Sequence, residues 1–360
     1  MIDQDDKTNI YNDKSATELI WGKLKSQLEN IKSIYFAPDG ILHHIAIEYF
    51  LNIDGNNSIS DRYNIYRLSS TREIAVNKQQ ELAKDAIIYG GIKYDSDLTT
   101  MEEQSRKFNH SKTRGMFHYN LGDSITLRGS LEYLDGSLIE AENVNDMMKE
   151  NHYRSIFISG YDATEESFKN LSGKVNGILH ISTHGFYWSV EKAERKAQLN
   201  ERLYFMSLLG DYARKNEEEK ALTRTGLYMA GAKNALAGIM LNENIDDGLL
   251  TAQEIASLDL RGLGLVVLSA CQTGMGDISG DGVFGLQRGF KKAGAGTLLM
   301  SLWDVSDEAT QILMTEFYKN YLNGKSKRES LLASQKVVRE TPGFEDPEYW
   351  AAFILLDALN

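Results

Sequence analysis

Two side chains in this 360-residue sequence could carry out nucleophilic chemistry together, and each follows a short apolar run. Cys271, the only cysteine, comes after Leu265–Leu268, and His184 comes after the run that starts at Gly177. A thiol becomes a reactive thiolate when a base or a positive charge lies beside it. An imidazole is such a base, and it can later protonate a leaving amine. These two residue types therefore predict thiolate attack on a carbonyl carbon.

The apolar runs are the elements that would position this pair. Both are too short for helices and contain β-branched residues, which is typical of strands buried on both faces. In a parallel sheet, the groups that do chemistry lie just beyond the carboxyl ends of the strands. Gly185 follows the histidine, and its missing side chain leaves its backbone N–H open to an incoming carbonyl oxygen. Together with the N–H of Cys271, it is predicted to stabilise an oxyanion.

Structural explanations compete with this prediction. A lone cysteine at the end of a buried strand is more often a small core residue, and a histidine there is more often held by a backbone carbonyl. We interpret His180, in the same run as His184, as a buried structural residue. The group that would orient His184 stays open between an Asn side chain, an Asp side chain and a backbone carbonyl.

Composition excludes several classes of protein. The net charge of −12 argues against binding to nucleic acid phosphates. A single cysteine cannot form an intramolecular disulfide, no apolar run approaches the length of a membrane span, and the acidic N-terminus lacks the features of a signal peptide. The histidines show no zinc-ligand spacing. We therefore expect a cytoplasmic protein with no cofactor, no metal, no direct nucleic acid partner and no membrane contact.

A dinucleotide-binding fold is an alternative. Residues 280–285 satisfy G-x-G-x-x-G, and Asp304 ends the next predicted strand at about the distance expected for a ribose-binding acid. The fingerprint should begin directly after its strand, but residues 271–279 intervene. The glycine pattern alone is weak support, and we keep this function as the less favoured one.

Strands and helices alternate along most of the chain, which predicts an α/β fold with a mostly parallel sheet and helices on both faces. Among the helices, residues 41–50 and 327–340 are predicted to form one each, and Ser306 is the predicted N-cap of the helix that follows it. Across residues 17–357 the sequence resembles CHAT domains, caspase-like cysteine peptidases of clan CD that are related to separase. Besides Pro38-Asp39-Gly40, the motifs that carry this resemblance occur in the family order: His180-Ile-Ser-Thr-His-Gly185, Leu227-Tyr-Met-Ala-Gly-Ala232, Asp247-Gly-Leu-Leu-Thr-Ala-Gln-Glu-Ile255, Val267-Leu-Ser-Ala-Cys-Gln-Thr-Gly274, Gly282-Val-Phe-Gly-Leu-Gln-Arg288, Ala293-Gly-Ala-Gly-Thr297, Ser301-Leu-Trp-Asp-Val-Ser-Asp307 and Tyr349-Trp-Ala-Ala-Phe353.

The resemblance implies a caspase-like three-layer α/β/α sandwich with a mostly parallel central sheet. Residues 1–80 would be an N-terminal α/β extension, and residues 81–360 the peptidase core, with a charged surface excursion at 189–224. His184 matches the family's general base and Cys271 its nucleophile. The chain is thereby expected to be a cysteine endopeptidase that cleaves a protein substrate.

The resemblance also bears on specificity. The motif Ser301–Asp307 looks like its separase counterpart, in which an aspartate binds the substrate arginine that precedes the scissile bond. Asp304 matches that aspartate, Asp307 is second, and Asp281 in the glycine-rich loop is a weaker candidate. A carboxylate pairs bidentately with a guanidinium, so cleavage after Arg, and less often Lys, is expected. Helix capping is the alternative role for Asp304 and Asp307, and a turn role is the alternative for Asp281.

Regulation follows the same resemblance. Eight basic residues in the excursion at 189–224 offer sites for self-cleavage, although a solvated surface segment is the simpler interpretation: Lys192, Arg195, Lys196, Arg202, Arg214, Lys215, Lys220 and Arg224. An activating partner or a helical-repeat sensor, and a role in bacterial defence or signalling, are implied by the family. A catalytically silent peptidase-like binding module is the main alternative.

Overall fold

The structure, a computed structural model, describes residues 9–52, 58–76, 83–108, 131–188, 217–239, 241, 245–270, 273–274, 276–279 and 282–359. These residues fall into two compact units. The first comprises Met1–Gln80, Ile278–Gly282 and Thr297–Asn360, and the second comprises Glu81–Asp277 and Val283–Gly296. The predicted division at residue 80 follows the family resemblance, whereas these two units are defined by how compactly their residues pack. The predicted division into an extension and a peptidase core therefore stays a prediction.

The strands are β1 Ser33–Phe36, β2 Asn64–Arg67, β3 Asp85–Ile92, β4 Arg154–Gly160, β5 Gly177–Ser182, β6 Gly185–Tyr187, β7 Thr225–Tyr228, β8 Leu249–Thr251, β9 Leu263–Ser269, β10 Gly276–Ser279, β11 Gly282–Gly285, β12 Thr297–Ser301 and β13 Phe353–Leu356. The α-helices are α1 Lys14–Ile20, α2 Lys25–Leu28, α3 Ile59–Arg62, α4 Leu98–Arg106, α5 Asp135–Glu150, α6 Glu165–Lys169, α7 Glu217–Thr223, α8 Ala232–Leu236, α9 Ala252–Ala256, α10 Leu286–Lys292, α11 Asp307–Leu322, α12 Lys327–Glu340 and α13 Pro347–Trp350. Short 3₁₀ helices span Gly22–Leu24, Gly40–His44, Ile47–Tyr49 and Thr71–Ile74.

Four strands of the second unit are parallel, in the order β9-β5-β3-β4. Every residue of β5 and β9 is buried, as expected for central strands of a parallel sheet. Helix α5 packs against β3 so closely that a Cβ at Gly90 would lie 2.3 Å from the Cβ of Ala141. Only glycine permits that approach. The parallel order brings the carboxyl ends of β5 and β9 together.

A separate three-stranded antiparallel sheet in the same unit has the order β6-β7-β8. Its first strand begins directly after His184, so the chain leaves β5 and enters β6 within two residues. The position of His184 is therefore set by two sheets at once.

In the first unit, β1, β2 and β13 are parallel to one another, and β12 is antiparallel to β13. Helices α11 and α12 follow β12, and local signals fix their ends. The Ser306 side chain accepts from the Ala309 N–H, and Ser326 with Glu329 forms a capping box. Gly324 adopts φ +89°, a conformation that lets α11 stop. With strand pairs that are mostly parallel, the predicted mixed α/β class is confirmed.

The structure differs from the sequence-based expectation at two places. Residues 41–50 were expected to form one helix, but they form two 3₁₀ turns, separated at Ala46, where ψ is +70°. The last residues of the predicted surface excursion are packed: α7 covers 217–223, Leu222 is 1% exposed and Arg224 is 4% exposed. An ion pair of Arg224, described below, allows this burial.

Candidate functional site

The register of β5 against β9 determines where the two predicted site residues leave the sheet. Ser182 pairs with Ser269 in parallel register, and both strands end there. His184 comes two residues after Ser182, and in the sequence Cys271 comes two residues after Ser269. The structure describes the second strand end as far as Ala270, and Cys271 lies outside the described residues. Both predicted residues thus follow one pair of neighbouring strands at the same offset.

The imidazole of His184 is half-buried and hydrogen-bonded through one ring nitrogen. Its Nε2 lies 2.9 Å from the backbone oxygen of Glu132, just before α5. A carbonyl oxygen only accepts, so Nε2 carries the hydrogen, and in the neutral ring Nδ1 has the lone pair. Of the three orienting groups that the sequence left open, a backbone carbonyl contacts the ring. No local pattern had marked residue 132 as part of the site.

A chain of hydrogen bonds holds the main chain at His184. The backbone N–H of His184 donates to Tyr94 Oη at 3.3 Å, and Thr183 Oγ1 donates to the Tyr228 carbonyl at 2.7 Å. Because the Thr183 hydrogen is used on that carbonyl, Tyr94 must be the donor in its 2.9 Å bond to Thr183 Oγ1. The Tyr94 ring also packs on the imidazole, with centroids 5.3 Å apart. Sequence reasoning missed Tyr94, whose only signal was its place after a strand.

The backbone N–H of Gly185 points away from β7. Tyr228 N–H donates to the His184 carbonyl at 3.0 Å, and Gly185 pairs with Leu227 in antiparallel register. The N–H and the C=O of a trans peptide point in opposite directions, so the Gly185 N–H faces the open side of β6. Among the described residues, β6 is the edge of its sheet, with no strand on that side. This amide therefore points away from the hydrogen bonds of its own sheet.

An ion pair connects a segment that follows Cys271 in the sequence to a segment that follows His184. Arg224, just before β7, pairs with Asp277 in β10, and the Tyr187 hydroxyl donates to the other Asp277 oxygen at 2.8 Å. Burial, followed by the neighbouring Asp277 carboxylate, raises the pKa of Tyr187 above its ordinary value. The three side chains therefore connect β6, β10 and the residue just before β7.

The predicted specificity residues have different surroundings. Asp304 is exposed and lies between β12 and α11. Asp307 is exposed in the first turn of α11, whose cap is Ser306 rather than either aspartate. Asp281 lies outside the described residues. Asp304 is therefore not the N-cap of α11, because the N-cap residue, Ser306, comes two residues later.

Carboxylates gather around one lysine in the second unit. Lys169 Nζ lies 2.6 Å from Glu165, 3.1 Å from Asp246 and 3.0 Å from Glu254. Burial, with Glu254 nearby, raises the pKa of Asp247 to about 8. Within the described ranges, no group of His, Cys, Asp or Glu could hold a metal ion. The motif that begins at Asp247 therefore packs around a lysine in this structure.

Within the described residues, no helix combines the length and the apolar character needed to cross a membrane.

Two curated proteins match part of the sequence. Tetratricopeptide repeat protein 28 of Mus musculus is 40% identical over 109 residues, and that of Homo sapiens is 38% identical over 108 residues. Each match covers 30% of this chain and 4% of the relative, so the chain corresponds to a small part of those proteins.

Two solved structures align with most of this chain. The Arg specific cysteine proteinase gingipain R aligns with a TM-score of 0.48 and 10% identity, over 99% of this chain and 68% of that chain. A complex of the Porphyromonas gingivalis RgpB pro- and mature domains aligns with the same TM-score and identity, over 93% of this chain and 67% of that chain. The family model described as "CHAT domain" matches residues 14–358, nearly the whole sequence. Because that match spans nearly all of the sequence, this chain belongs to the CHAT domain family.

Proposed function

We propose that this chain is a cysteine endopeptidase in which His184 is the general base and Cys271 the nucleophile. One observation carries the proposal: the pairing of Ser182 with Ser269, which gives both residues the same offset beyond adjacent parallel strands. Groups at the carboxyl ends of neighbouring parallel strands share one edge of the sheet. The core-residue interpretation of Cys271 offers no reason for a histidine at the matching offset.

The proposed mechanism uses Nδ1 of His184, because Nε2 donates to the Glu132 carbonyl. Nδ1 takes the proton from the Cys271 thiol, and the thiolate attacks the scissile carbonyl carbon. The Glu132 carbonyl stabilises the imidazolium that forms. The backbone N–H groups of Gly185 and Cys271 stabilise the oxyanion, Nδ1 then protonates the leaving amine, and water hydrolyses the thioester.

For specificity, we propose cleavage after Arg, and less often after Lys. The proposal depends on the resemblance of the run ending at Asp307 to its separase counterpart. Asp304 is the first candidate for the carboxylate that receives the guanidinium, Asp307 the second and Asp281 the weakest.

Control by a helical-repeat partner is a further part of the proposal. Its support is the name of the curated relatives, which describes them as tetratricopeptide repeat proteins. A defence or signalling role in bacteria comes from the family resemblance alone. For self-cleavage, Arg224 is an unsuitable site because it is buried and paired with Asp277. Most of the other basic candidates lie outside the described residues.

The experiment that tests the proposal is cleavage of fluorogenic peptides that differ only in the residue before the scissile bond. With Arg, Lys, Asp and Leu peptides, we expect the order Arg, then Lys, and no cleavage after Asp or Leu. Cys271→Ala should abolish all cleavage. Asp304→Asn should slow Arg cleavage about 100-fold, because a charge-assisted pair is lost, and Asp307→Asn tests the second candidate. Glu308→Gln, which neutralises an exposed acid in the same first turn of α11, is the matched control and should leave Arg cleavage unchanged.

A silent binding module would give a different result. Because Cys271 is the only cysteine, its alkylation can be followed by intact mass without further labelling. A thiol activated by His184 should react with iodoacetamide faster at pH 7 than a free cysteine does. Slow alkylation together with no cleavage of any peptide would favour the silent module and reject the peptidase proposal.

A further inference from the structure

We propose that Tyr94 is a positioning residue that fixes both the imidazole of His184 and the direction of the Gly185 amide. This inference rests on the proposed function, because it assigns a role within the same site. The observation behind it is that one hydroxyl accepts from the main chain of the base and donates to the residue before it.

The Tyr94 main chain is held firmly. Lys233 N–H donates to the Tyr94 carbonyl at 3.1 Å, and Gly231 N–H donates to the Lys93 carbonyl at 3.3 Å. On the other side, Lys93 N–H donates to the Gly160 carbonyl at 3.2 Å. The side chain is 2% exposed, so it has little freedom to move. A site is most precise when its supporting groups are themselves locked by packing.

The hydroxyl of Tyr94 acts on two successive peptide groups through one chain of bonds. It accepts the N–H of His184, which fixes the peptide between residues 183 and 184. Through Thr183 it is linked to the carbonyl of Tyr228, whose own N–H donates to the His184 carbonyl. The next peptide, which carries the Gly185 N–H, is therefore fixed as well. Hydrogen bonds arranged donor to acceptor in one chain strengthen one another.

The ring of Tyr94 has a second role. Its centroid lies 5.3 Å from that of the imidazole, with the planes tilted by 46°. This contact restricts the rotation of His184 about its side-chain bonds. Restricting that rotation favours the orientation in which Nε2 reaches the Glu132 carbonyl. Nδ1 is then kept available as the base.

The test is Tyr94→Phe, which removes one oxygen and retains the ring. Tyr89→Phe is the matched control: Tyr89 is in β3, is fully buried, and its hydroxyl contacts that of Ser167 at 3.3 Å. Both substitutions remove a buried tyrosine hydroxyl that contacts another hydroxyl. Both should therefore lower the melting temperature by similar amounts, but only the first removes a bond to His184.

Two readouts separate positioning from stability. In long-range ¹H–¹⁵N spectra of histidine-labelled protein, His184 should show the Nε2–H tautomer in the wild type and in Tyr89→Phe. In Tyr94→Phe the ring contact remains but the main chain of His184 is released, so the share of the Nδ1–H tautomer should rise toward that of an exposed histidine such as His152. The His184 signals are assigned from their loss in His184→Asn. For the Arg peptide, kcat should fall about 10-fold in Tyr94→Phe with KM unchanged, the effect expected for one hydrogen bond to the reacting geometry.

Unchanged His184 tautomers in Tyr94→Phe, or equal losses of kcat in the two variants, would overturn the inference. The spectra do not depend on turnover. If the wild type cleaves no peptide and its Cys271 is alkylated slowly while Tyr94→Phe still alters the tautomers, then the positioning role stands and the peptidase proposal fails.

Discussion

Replacing His184 with asparagine is expected to lower kcat/KM for an Arg peptide about a thousand-fold, within the range that general acid–base catalysis contributes. The imidazole is the only group in the proposed site that can both accept the thiol proton and return it to the leaving amine. Asparagine is too weak a base for either step. The same substitution should slow the alkylation of Cys271 at pH 7, because the thiolate loses its positive neighbour.

The control for this prediction is His152→Asn. His152 is exposed and adopts φ +64°, a conformation that asparagine tolerates better than most residues. This variant changes the same side-chain chemistry elsewhere in the chain, and it should keep wild-type kcat/KM. Activity of His184→Asn within twofold of the wild type would show that another base works, and the proposed mechanism would have to be abandoned.

The second large effect concerns stability. Replacing Glu48 with glutamine is expected to lower the free energy of unfolding by about 3–5 kcal/mol, because it leaves a buried guanidinium without its counter-charge. Arg67 Nε lies 2.9 Å from Glu48 Oε1, and Nη2 lies 2.8 Å from Oε2. The two side chains are 2% and 8% exposed, so water cannot replace the lost carboxylate. Urea denaturation with a far-UV signal measures the change.

The rest of the Arg67 environment explains why the guanidinium cannot move out. Its Nη2 also donates to the Ile45 carbonyl at 2.6 Å, and Nη1 donates to the Leu42 carbonyl at 3.3 Å. These bonds hold the backbone turns at 40–49, with the Phe36 ring 5.1 Å from the guanidinium carbon. Burial acts to lower the pKa of Arg67, and the charge and hydrogen bonds of Glu48, together with Tyr11 and Tyr49, raise it above its ordinary value. After Glu48 is neutralised the arginine still stays charged, because the intrinsic pKa of a guanidinium is too high for it to lose its proton in a protein.

Glu316→Gln provides the comparison for Glu48→Gln. Glu316 pairs with Lys319 at 3.0 Å one helical turn away, where the lysine side chain is 61% exposed. An exposed pair of this kind contributes less than about 1 kcal/mol. If the two variants lose similar amounts of stability, the Glu48–Arg67 pair is not the buried charge pair that its geometry indicates.

Patterns confined to one segment were readable from the sequence. Helix α12 was predicted over 327–340 and is observed at Lys327–Glu340, and Ser306 was predicted as a cap and accepts from Ala309. These features depend on neighbours three or four residues away. The buried strands β5 and β9 were also predicted, because a short β-branched apolar run has few other stable arrangements in a globular protein.

Features that depend on distant partners were missed or misinterpreted. Arg224 was assigned to a charged surface segment, but a carboxylate 53 positions later, Asp277, allows its burial. No pattern pointed to Glu132, yet its carbonyl contacts His184 across 52 positions. Residue type and local pattern contain no information about such contacts, since the partners are brought together only by strand order.

By itself, the sequence determined the residue types of the proposed site, the strands that carry them, and membership of the CHAT domain family. Only the tertiary structure decided that β5 and β9 are neighbours in register, that Tyr94 and Glu132 hold His184, and that the Gly185 amide faces an open edge. The physical reason is the range of the interactions. Propensity and capping act within a few residues, whereas strand pairing and buried hydrogen bonds join groups that the sequence separates widely.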